Sequence, residues 1–197
     1  MSERVPEAFV RVLEDLSGWL ESARIPAMVV GGVAAAILGR PRATRDIDAL
    51  AILPDDQCAD ALSAARNHGI VARIEDPLAF ARRTHVLLLR HAESGIDIDV
   101  ILGRLPFEEE AVARGRFHDL GGVRTKLPRV EDLLIMKAVA QRPQDLRDIE
   151  GLLDANPEAD VERVRAWVRE FATAMAMPDL LKGLEELLAQ RRSRSGR

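Results

Sequence analysis

The chain has one cysteine among its 197 residues, no tyrosine, and an aromatic content of only 4%. Because Cys58 has no second cysteine to pair with, an internal disulfide and a cysteine metal cluster are both excluded. The scarcity of aromatic rings leaves little means of recognising nucleic-acid bases by stacking. No apolar run approaches the length of a membrane span, and the first residues lack a signal-peptide core. We therefore expect a cytoplasmic protein with no membrane partner.

The overall composition is that of an ordinary globular protein. Apolar residues make up 47% of the chain and charged residues 30%, which predicts a substantial core beneath a charged surface. The formal net charge of −4 means that any contact with nucleic acid must be local. The length suits one large domain, or a catalytic domain with a helical extension.

Residues 29–53 contain the strongest motif of the chain: an apolar run, the pair Gly31 and Gly32, a basic loop, and then Asp46 and Asp48 before a second apolar run. Paired glycines allow a backbone to turn sharply and to lie close to a triphosphate. Aspartates two apart on a strand point to the same face, with Cα atoms roughly 6.5 Å apart. That spacing suits two carboxylates that converge on a pair of divalent metals about 3.5–4 Å apart.

Each half of this motif also occurs in proteins without such a site. A glycine pair before a helix is common, and a lone Asp-x-Asp is usually a solvated strand edge. Here the two aspartates are embedded among apolar residues, where an unpaired charge is costly. The combination therefore favours a metal site.

The motif resembles the signature of the nucleotidyltransferase superfamily, which has the fold of DNA polymerase β and of the antibiotic nucleotidyltransferases. Gly31 and Gly32 match its glycine pair, although Gly-Ser is more common there, and Asp46 and Asp48 match its paired metal ligands. The resemblance implies two Mg²⁺ ions, with Mn²⁺ as an alternative, and an NTP substrate. Backbone amides of the glycine pair would bind the phosphates.

A second Asp-x-Asp, formed by Asp97 and Asp99, lies in the return strand of a predicted hairpin. The alternation with Ile96, Ile98 and Val100 predicts that both aspartates face away from the apolar side. Members of the superfamily supply a third catalytic carboxylate from a strand beside the first pair. The resemblance implies that Asp99 has this role, as a metal ligand or as the group that takes a proton from the acceptor; Asp97 is the alternative.

Residues 133–149 contain a lysine and two acids around a proline-initiated helix break. Taken alone, they are typical of two surface helices with a charged connection. Beside the first motif, they resemble the Lys…Arg-x-x-x-Asp-x-x-Asp-Ile segment of the AbiEii-type nucleotidyltransferases, the toxins of type IV toxin–antitoxin systems. Lys137, Asp145 and Asp148 match that segment, and Arg142 fits with compressed spacing. The resemblance implies that Lys137 binds the triphosphate and that Asp148 orients Lys137 or a metal-bound water.

The apolar spacing and the resemblance together predict an α+β fold with a mixed sheet. Residues 1–128 would form the nucleotidyltransferase core, residues 129–190 a helical region packed on it, and residues 191–197 a basic disordered tail. Within the core, the glycine pair is expected in the turn before a helix over 33–38. Strands are predicted at residues 25–30, 46–53, 70–74, 85–90 and 96–102, with a small hairpin over 117–127.

The resemblance implies metal-dependent transfer of NMP from an NTP to a hydroxyl acceptor. Arg42 and Arg45, in the basic loop, are candidates for offsetting the charge on the transferred phosphorus, or are solvated loop charges. A toxin-like enzyme would act on RNA or tRNA and would have a cognate antitoxin encoded elsewhere. The alternatives are transfer to a small hydroxylated molecule, nucleotidylation of a protein, and a nonenzymatic binding module on the same fold.

Overall fold

The computed structural model describes residues 7–195, which form seven strands and nine α-helices. The strands are β1 (Ala27–Val29), β2 (Asp46–Ala51), β3 (Ile70–Ala72), β4 (Val86–His91), β5 (Asp97–Leu102), β6 (Arg116–Leu120) and β7 (Val123–Leu127). The helices are α1 (Glu7–Ser22), α2 (Gly31–Leu38), α3 (Cys58–Ala65), α4 (Pro77–Thr84), α5 (Pro106–Arg114), α6 (Val130–Ala140), α7 (Pro143–Ala155), α8 (Val161–Ala174) and α9 (Asp179–Ser195). Within these residues, no helix combines the length and the apolar character that crossing a bilayer requires.

Two compact units divide the chain. The first contains the sequence up to Ala34 and the segment Arg42–Pro128; the second contains Ala35–Pro41 and the chain from Arg129 onward.

A five-stranded mixed sheet in the order β1-β2-β5-β4-β3 forms the centre of the first unit. Strands β2 and β5 pair in parallel, and the other neighbours are antiparallel. Burial alternates along β5, where Ile98 and Val100 are fully buried between half-buried neighbours, as the period of two in a strand requires. The predicted mixed sheet is therefore confirmed.

The apolar side of this unit is completed by helix α1, whose buried residues recur at helical spacing. Leu13, Leu16 and Trp19 are fully buried along one stripe of the helix. The indole Nε1 of Trp19 donates to the carbonyl of Ala61 in α3 at 2.9 Å, so the largest core side chain also satisfies its polar atom. A separate hairpin, β6–β7, packs against α1 and β1.

The second unit is helical. Helix α6 contacts α7, α8 and α9, and α8 also contacts α9. Leu133, Ile149, Leu152 and Val168 are buried on the facing sides of these helices. At the surface of the pair α8 and α9, the guanidinium of Arg165 donates to Glu185 at 2.7 Å.

Two elements differ from the sequence-based predictions. Helix α2 begins at Gly31 rather than Val33, so the glycine pair forms the first turn of the helix instead of the turn before it. Helix α9 continues to Ser195, although a disordered tail was predicted from residue 191. The physical reason is that arginine and serine between 191 and 195 do not interrupt a helix, whereas the first breaker is Gly196. Residues 196–197 of the predicted tail lie outside the described residues.

Candidate active site

Four aspartates lie on one face of the mixed sheet, at the start of its parallel pair of strands. In the register of β2 and β5, Asp46 is opposite Asp97 and Asp48 is opposite Asp99. Register partners and residues two apart on a strand share a face, so all four carboxylates project to the same side. Neighbouring strands are about 4.8 Å apart. We refer to Asp46, Asp48, Asp97 and Asp99 as the carboxylate array.

The glycine pair lies directly against this array. The N–H of Val30 donates to the carbonyl of Asp48 at 2.8 Å, which places Gly31 beside the Asp48 side chain. A Cβ atom on Gly31 would lie 1.8 Å from Oδ2 of Asp48, and φ of Gly31 is +61°. A Cβ atom on Gly32 would lie 2.6 Å from Oγ1 of Thr44. Both glycines are therefore required by close approach, and the backbone at Gly31 also adopts a left-handed conformation.

Two arginines contact the array from the antiparallel side of the sheet. Arg73 follows β3, and its guanidinium bonds both Asp97 (Nη1 to Oδ2, 2.6 Å) and Asp99 (Nη2 to Oδ1, 2.7 Å). Arg90, in β4, donates from Nε to Oδ1 of Asp97 at 2.7 Å. Asp97 therefore has two arginine partners, whereas Asp99 shares Arg73 with Asp97.

The two aspartates of β5 respond to these surroundings in opposite directions. The hydrogen bond from Arg90 lowers the pKa of Asp97 below its ordinary value, and Arg73 adds to the effect. Burial raises the pKa of Asp99; the charges of Asp46 and Asp97 act in the same direction, and Arg73 opposes them. The negative charge at Asp99 is thus the less well compensated of the two.

The array has the chemistry of a divalent-cation site, because hard oxygen donors are the ligands that Mg²⁺ and Mn²⁺ prefer. Burial, together with the charges of Asp46 and Asp97, raises the pKa of Asp99, and a cation bound there would offset these effects. Among the side chains that the structure describes, however, no three acidic, histidine or cysteine groups converge closely enough to form a finished metal site. The donor set fits the metal, while the present orientation of Asp99 toward Arg73 does not complete its coordination.

The basic loop before β2 places its two arginines differently. Arg42 is half-buried, and one of its Nη atoms lies 3.1 Å from the position that a Cβ on Gly32 would take. Arg45 is exposed. Thr44 donates from Oγ1 to Oδ1 of Asp46 at 3.1 Å. The loop thus brings Arg42 to the glycine pair and leaves Arg45 at the surface.

In the second unit, Lys137 lies in a buried ionic cluster. Its Nζ is 2.9 Å from Oδ1 of Asp145 and 2.9 Å from Oδ2 of Asp148, and all three side chains are at most 5% exposed. Asp145 also accepts from the backbone N–H and the Nε of Arg142, and Gln144 donates to Asp148 at 3.0 Å. We refer to Lys137, Asp145 and Asp148 as the lysine cluster.

Asp145 illustrates how this cluster compensates for burial. Burial by itself would raise the pKa of Asp145, but hydrogen bonds from Arg142 and Lys137 outweigh it and lower the pKa. The contact of Lys137 with both aspartates excludes the alternative of an ordinary solvated connection between two surface helices.

Comparison with known protein families gives a match over most of the chain. The model of a family described as nucleotidyl transferase AbiEii toxin, type IV TA system, matches residues 14–195. The chain belongs to the AbiEii nucleotidyltransferase family. The AbiEii match spans nearly all of the described residues and includes both the carboxylate array and the lysine cluster. No protein of curated function matches the chain in sequence.

Solved structures similar to this AbiEii-family chain are nucleotidyltransferases. An antigenic nucleotidyltransferase-like protein from Paracoccidioides brasiliensis superposes with a TM-score of 0.57 at 16% identity, covering 92% of this chain and 94% of that protein. The antibiotic-resistance factor ANT(2'')-Ia gives a TM-score of 0.58 at 14% identity, covering 86% and 94%. The lincosamide adenylyltransferase LnuA, with lincomycin bound, gives 0.51 at 14% identity, covering 76% and 96%.

At these identities the similarity concerns the fold. Together with the family match, it identifies the AbiEii-family chain as a nucleotidyltransferase enzyme.

Arg73 and Thr44 contact the array but were not singled out from the sequence. Arg73 lies near the end of a predicted strand, and the pairing of β3 with β4 and of β4 with β5 is what brings it to Asp99. Such a contact depends on strand order, which apolar alternation does not encode. Thr44 lies two residues before Asp46, and this short separation could have indicated a hydrogen bond from its hydroxyl to the aspartate.

Proposed function

We propose that the chain transfers NMP from an NTP to a hydroxyl acceptor and that the transfer depends on divalent metal. The observation that supports this most strongly is the parallel register that pairs Asp48 with Asp99 and Asp46 with Asp97, with Gly31 against the carboxylate of Asp48. Asp46, Asp48 and Asp99 would hold two Mg²⁺ ions, or Mn²⁺ in their place. When bound, such a pair supplies charge neutralisation at the triphosphate and a lower pKa for the acceptor hydroxyl.

In this reaction the acceptor oxygen attacks the α-phosphorus of the NTP, and the bond to the leaving pyrophosphate breaks. Asp99 would take the proton of the acceptor hydroxyl or, as the alternative role, help to hold the metal; its raised pKa makes it the more basic carboxylate of β5, which supports the first role. The backbone amides of the first turn of α2, at Gly31 and Gly32, lack intrahelical acceptors and would bind phosphate oxygens. Arg42, beside Gly32, would offset charge on the transferred phosphorus, and the exposed Arg45 is the weaker candidate for that role.

The lysine cluster has a separate place in the proposal. Asp148 would orient Lys137, which it contacts at 2.9 Å, and Lys137 would bind oxygens of the triphosphate as a point charge. Because Lys137 is buried between two carboxylates, such binding requires one of these contacts to be exchanged for a phosphate contact.

We propose RNA or tRNA as the acceptor. One face of the β6–β7 hairpin supports this: Phe117 is 49% exposed, and the guanidinium of Arg124 lies 3.8 Å from its ring centroid. Lys126 is the register partner of Phe117 and shares that face. An exposed ring beside cationic side chains is a platform on which a base can stack while phosphates are neutralised. The same three side chains line a groove along β1, the strand that leads to Gly31.

Membership in a toxin family further supports a cognate antitoxin as a protein partner. NTPs and RNA occur together in the cytoplasm, where we propose that the enzyme acts. A small hydroxylated acceptor is the alternative, because ANT(2'')-Ia and LnuA, by their names, modify or bind antibiotics on a similar fold.

The test uses the purified full chain, Mg²⁺, each α-labelled NTP in turn, and either total RNA or a panel of hydroxylated antibiotics as acceptor. We expect label in RNA with the wild-type chain and none with Asp48→Asn. Label on an antibiotic but not on RNA would support the alternative acceptor. The double variant Phe117→Ala/Arg124→Gln should raise KM for RNA and leave KM for the NTP unchanged. Transfer that persists in EDTA would contradict the metal dependence.

A further inference from the structure

Arg73 has an unusual position for a residue near a metal-binding array, because it reaches the array across a whole strand. Its backbone N–H donates to the carbonyl of Leu88 in β4 at 3.0 Å. Leu88 is the register partner of Asp99, so the side chain of Arg73 passes over β4 to reach β5. The Arg73 side chain is 22% exposed, and this partial removal from water strengthens its two ion pairs.

The direction of these bonds matters for the array. Arg73 links Asp99 to Asp97, two residues away along the same strand. A metal ion shared by Asp48 and Asp99 would instead link the two strands, because these residues are partners across β2 and β5. The Asp99 carboxylate cannot bond Arg73 and share a metal with Asp48 in full at the same time. Among the described side chains, no three potential ligands converge, which agrees with the contact to Arg73.

We infer that Arg73 is a positioning residue that competes with the divalent cation for Asp99; this inference rests on the proposed function. Without metal, Arg73 neutralises Asp97 and Asp99 and keeps Asp99 turned along β5. Binding of metal replaces this contact, and Asp99 turns toward Asp48. The affinity of the array for metal is therefore set below what its four carboxylates would give alone.

Arg90 provides the matched control. It lies on the neighbouring strand, has the same charge, and bonds Asp97 at 2.7 Å, the same distance as that between Arg73 and Asp99. The carboxylate that Arg90 contacts is that of Asp97, whereas Arg73 contacts both Asp97 and Asp99. A general effect of removing one positive charge near the array would appear in both variants, whereas competition for Asp99 would appear only when Arg73 is changed.

The experiment titrates Mn²⁺ into the full chain without nucleotide and follows the free-ion signal by electron paramagnetic resonance. We expect Arg73→Gln to bind Mn²⁺ about tenfold more tightly than the wild type, because a half-buried ion pair no longer has to be broken. Arg90→Gln should stay within about twofold of the wild type. Arg73→Lys, which keeps the charge but cannot bond two carboxylates with one planar group, should lie between them.

Thermal unfolding with and without Mn²⁺ distinguishes a change in metal affinity from misfolding of the variant. We expect Arg73→Gln to unfold at a lower temperature than the wild type without metal and to gain more thermal stability from Mn²⁺. Arg73→Lys, which retains a cation beside the carboxylates, serves as the variant to compare if Arg73→Gln does not fold.

The outcomes separate the inference from the proposed function. Equal or weaker Mn²⁺ binding by Arg73→Gln and Arg73→Lys, or equal tightening by Arg90→Gln, would overturn the role of Arg73 while leaving the metal site in place. Binding that Asp48→Asn does not weaken, or no binding by any of these proteins, would overturn the metal site itself and the inference with it.

Discussion

The carboxylate array and the lysine cluster are both groups of acidic side chains with basic partners, yet they differ in exposure and in charge balance. In the array, four aspartates lie on a half-buried sheet face, and the charges of Asp46 and Asp97 help to raise the pKa of Asp99. In the lysine cluster, Lys137 and Arg142 compensate two buried aspartates, and the pKa of Asp145 is lowered. The negative charge of the array is only partly compensated, which suits the binding of a cationic ligand. In the lysine cluster, Lys137 and Arg142 already compensate the carboxylates.

This difference predicts that substitutions in the two regions affect different measured properties. Changes in the array should alter metal binding and catalysis more than folding. Changes in the lysine cluster should alter folding first.

Asp48→Asn should reduce NMP transfer by about 10³-fold or more, because one metal-binding carboxylate is lost where charge stabilisation contributes several kcal/mol. The thermal unfolding temperature should stay equal or rise, since the substitution removes one of four like charges. The measurement pairs an activity assay with a thermal melt. Asp56→Asn, at an exposed position in the 3₁₀ turn Asp55–Gln57, is the control that should change neither. Full activity in Asp48→Asn would remove the array from the active site.

Lys137→Met should destabilise the chain by about 3–5 kcal/mol, because it leaves two carboxylates buried without their shared cation. Urea unfolding of the wild type and the variant gives this difference directly. Lys182→Met is the matched control, because Lys182 pairs with Glu186 at 4.0 Å with both side chains more than 60% exposed. Such a pair is worth about 1 kcal/mol at most. Equal effects of the two substitutions would mean that the lysine cluster is not a folding element.

Gly31→Ala should lower both stability and transfer, which makes it the one substitution that joins the two responses. The left-handed backbone costs an alanine about 1–2 kcal/mol, and the methyl group would also displace the carboxylate of Asp48. Gly95→Ala has a similar φ of +72° but no atom within 4 Å of the added carbon, so it should show the backbone cost alone. Both are compared by urea unfolding and by activity. Unchanged transfer in Gly31→Ala would separate the glycine pair from the catalytic carboxylate.

Acid should weaken the contribution of Asp145 to stability. A carboxyl whose folded-state pKa is lowered contributes stability above its unfolded pKa, near 3.9, and loses it as the pH falls through the folded value. Asp145→Asn lacks this contribution at every pH. The difference in unfolding free energy between the wild type and this variant should therefore be largest near neutral pH and should shrink below about pH 4. A difference that grows on acidification would contradict the direction of the shift.

The sequence predicted the features of the array that depend on local geometry. A period of two places Asp46 with Asp48, and Asp97 with Asp99, on one face of their strands, and the apolar residues between them identify the opposite face. The glycine pair was recognised as a place of close approach, although the structure puts it inside the first turn of α2. These features depend on residues near one another in the chain, which is why alternation and motif spacing were sufficient to find them.

Contacts between distant strands were beyond the reach of such patterns. The role of Arg73 follows from the order β5-β4-β3, and the burial of Lys137 follows from the packing of α6 against α7. The charged segment around Pro143 had a solvated alternative, because charged residues near a helix break are exposed in most proteins. The structure excludes that alternative through the two contacts of Lys137, each at 2.9 Å.

The parallel pairing of β2 with β5 has a consequence for biosynthesis. Asp48 and Asp99 are about 50 residues apart in the chain, and strands β3 and β4 lie between them in sequence. Pairings of this separation are slow steps of folding, because the loop must be closed before the contact forms. A ribosome that has completed only the first motif has therefore made the glycine pair and two aspartates but not the complete carboxylate array. On the proposed function, transfer requires that most of the first unit has been synthesised and folded.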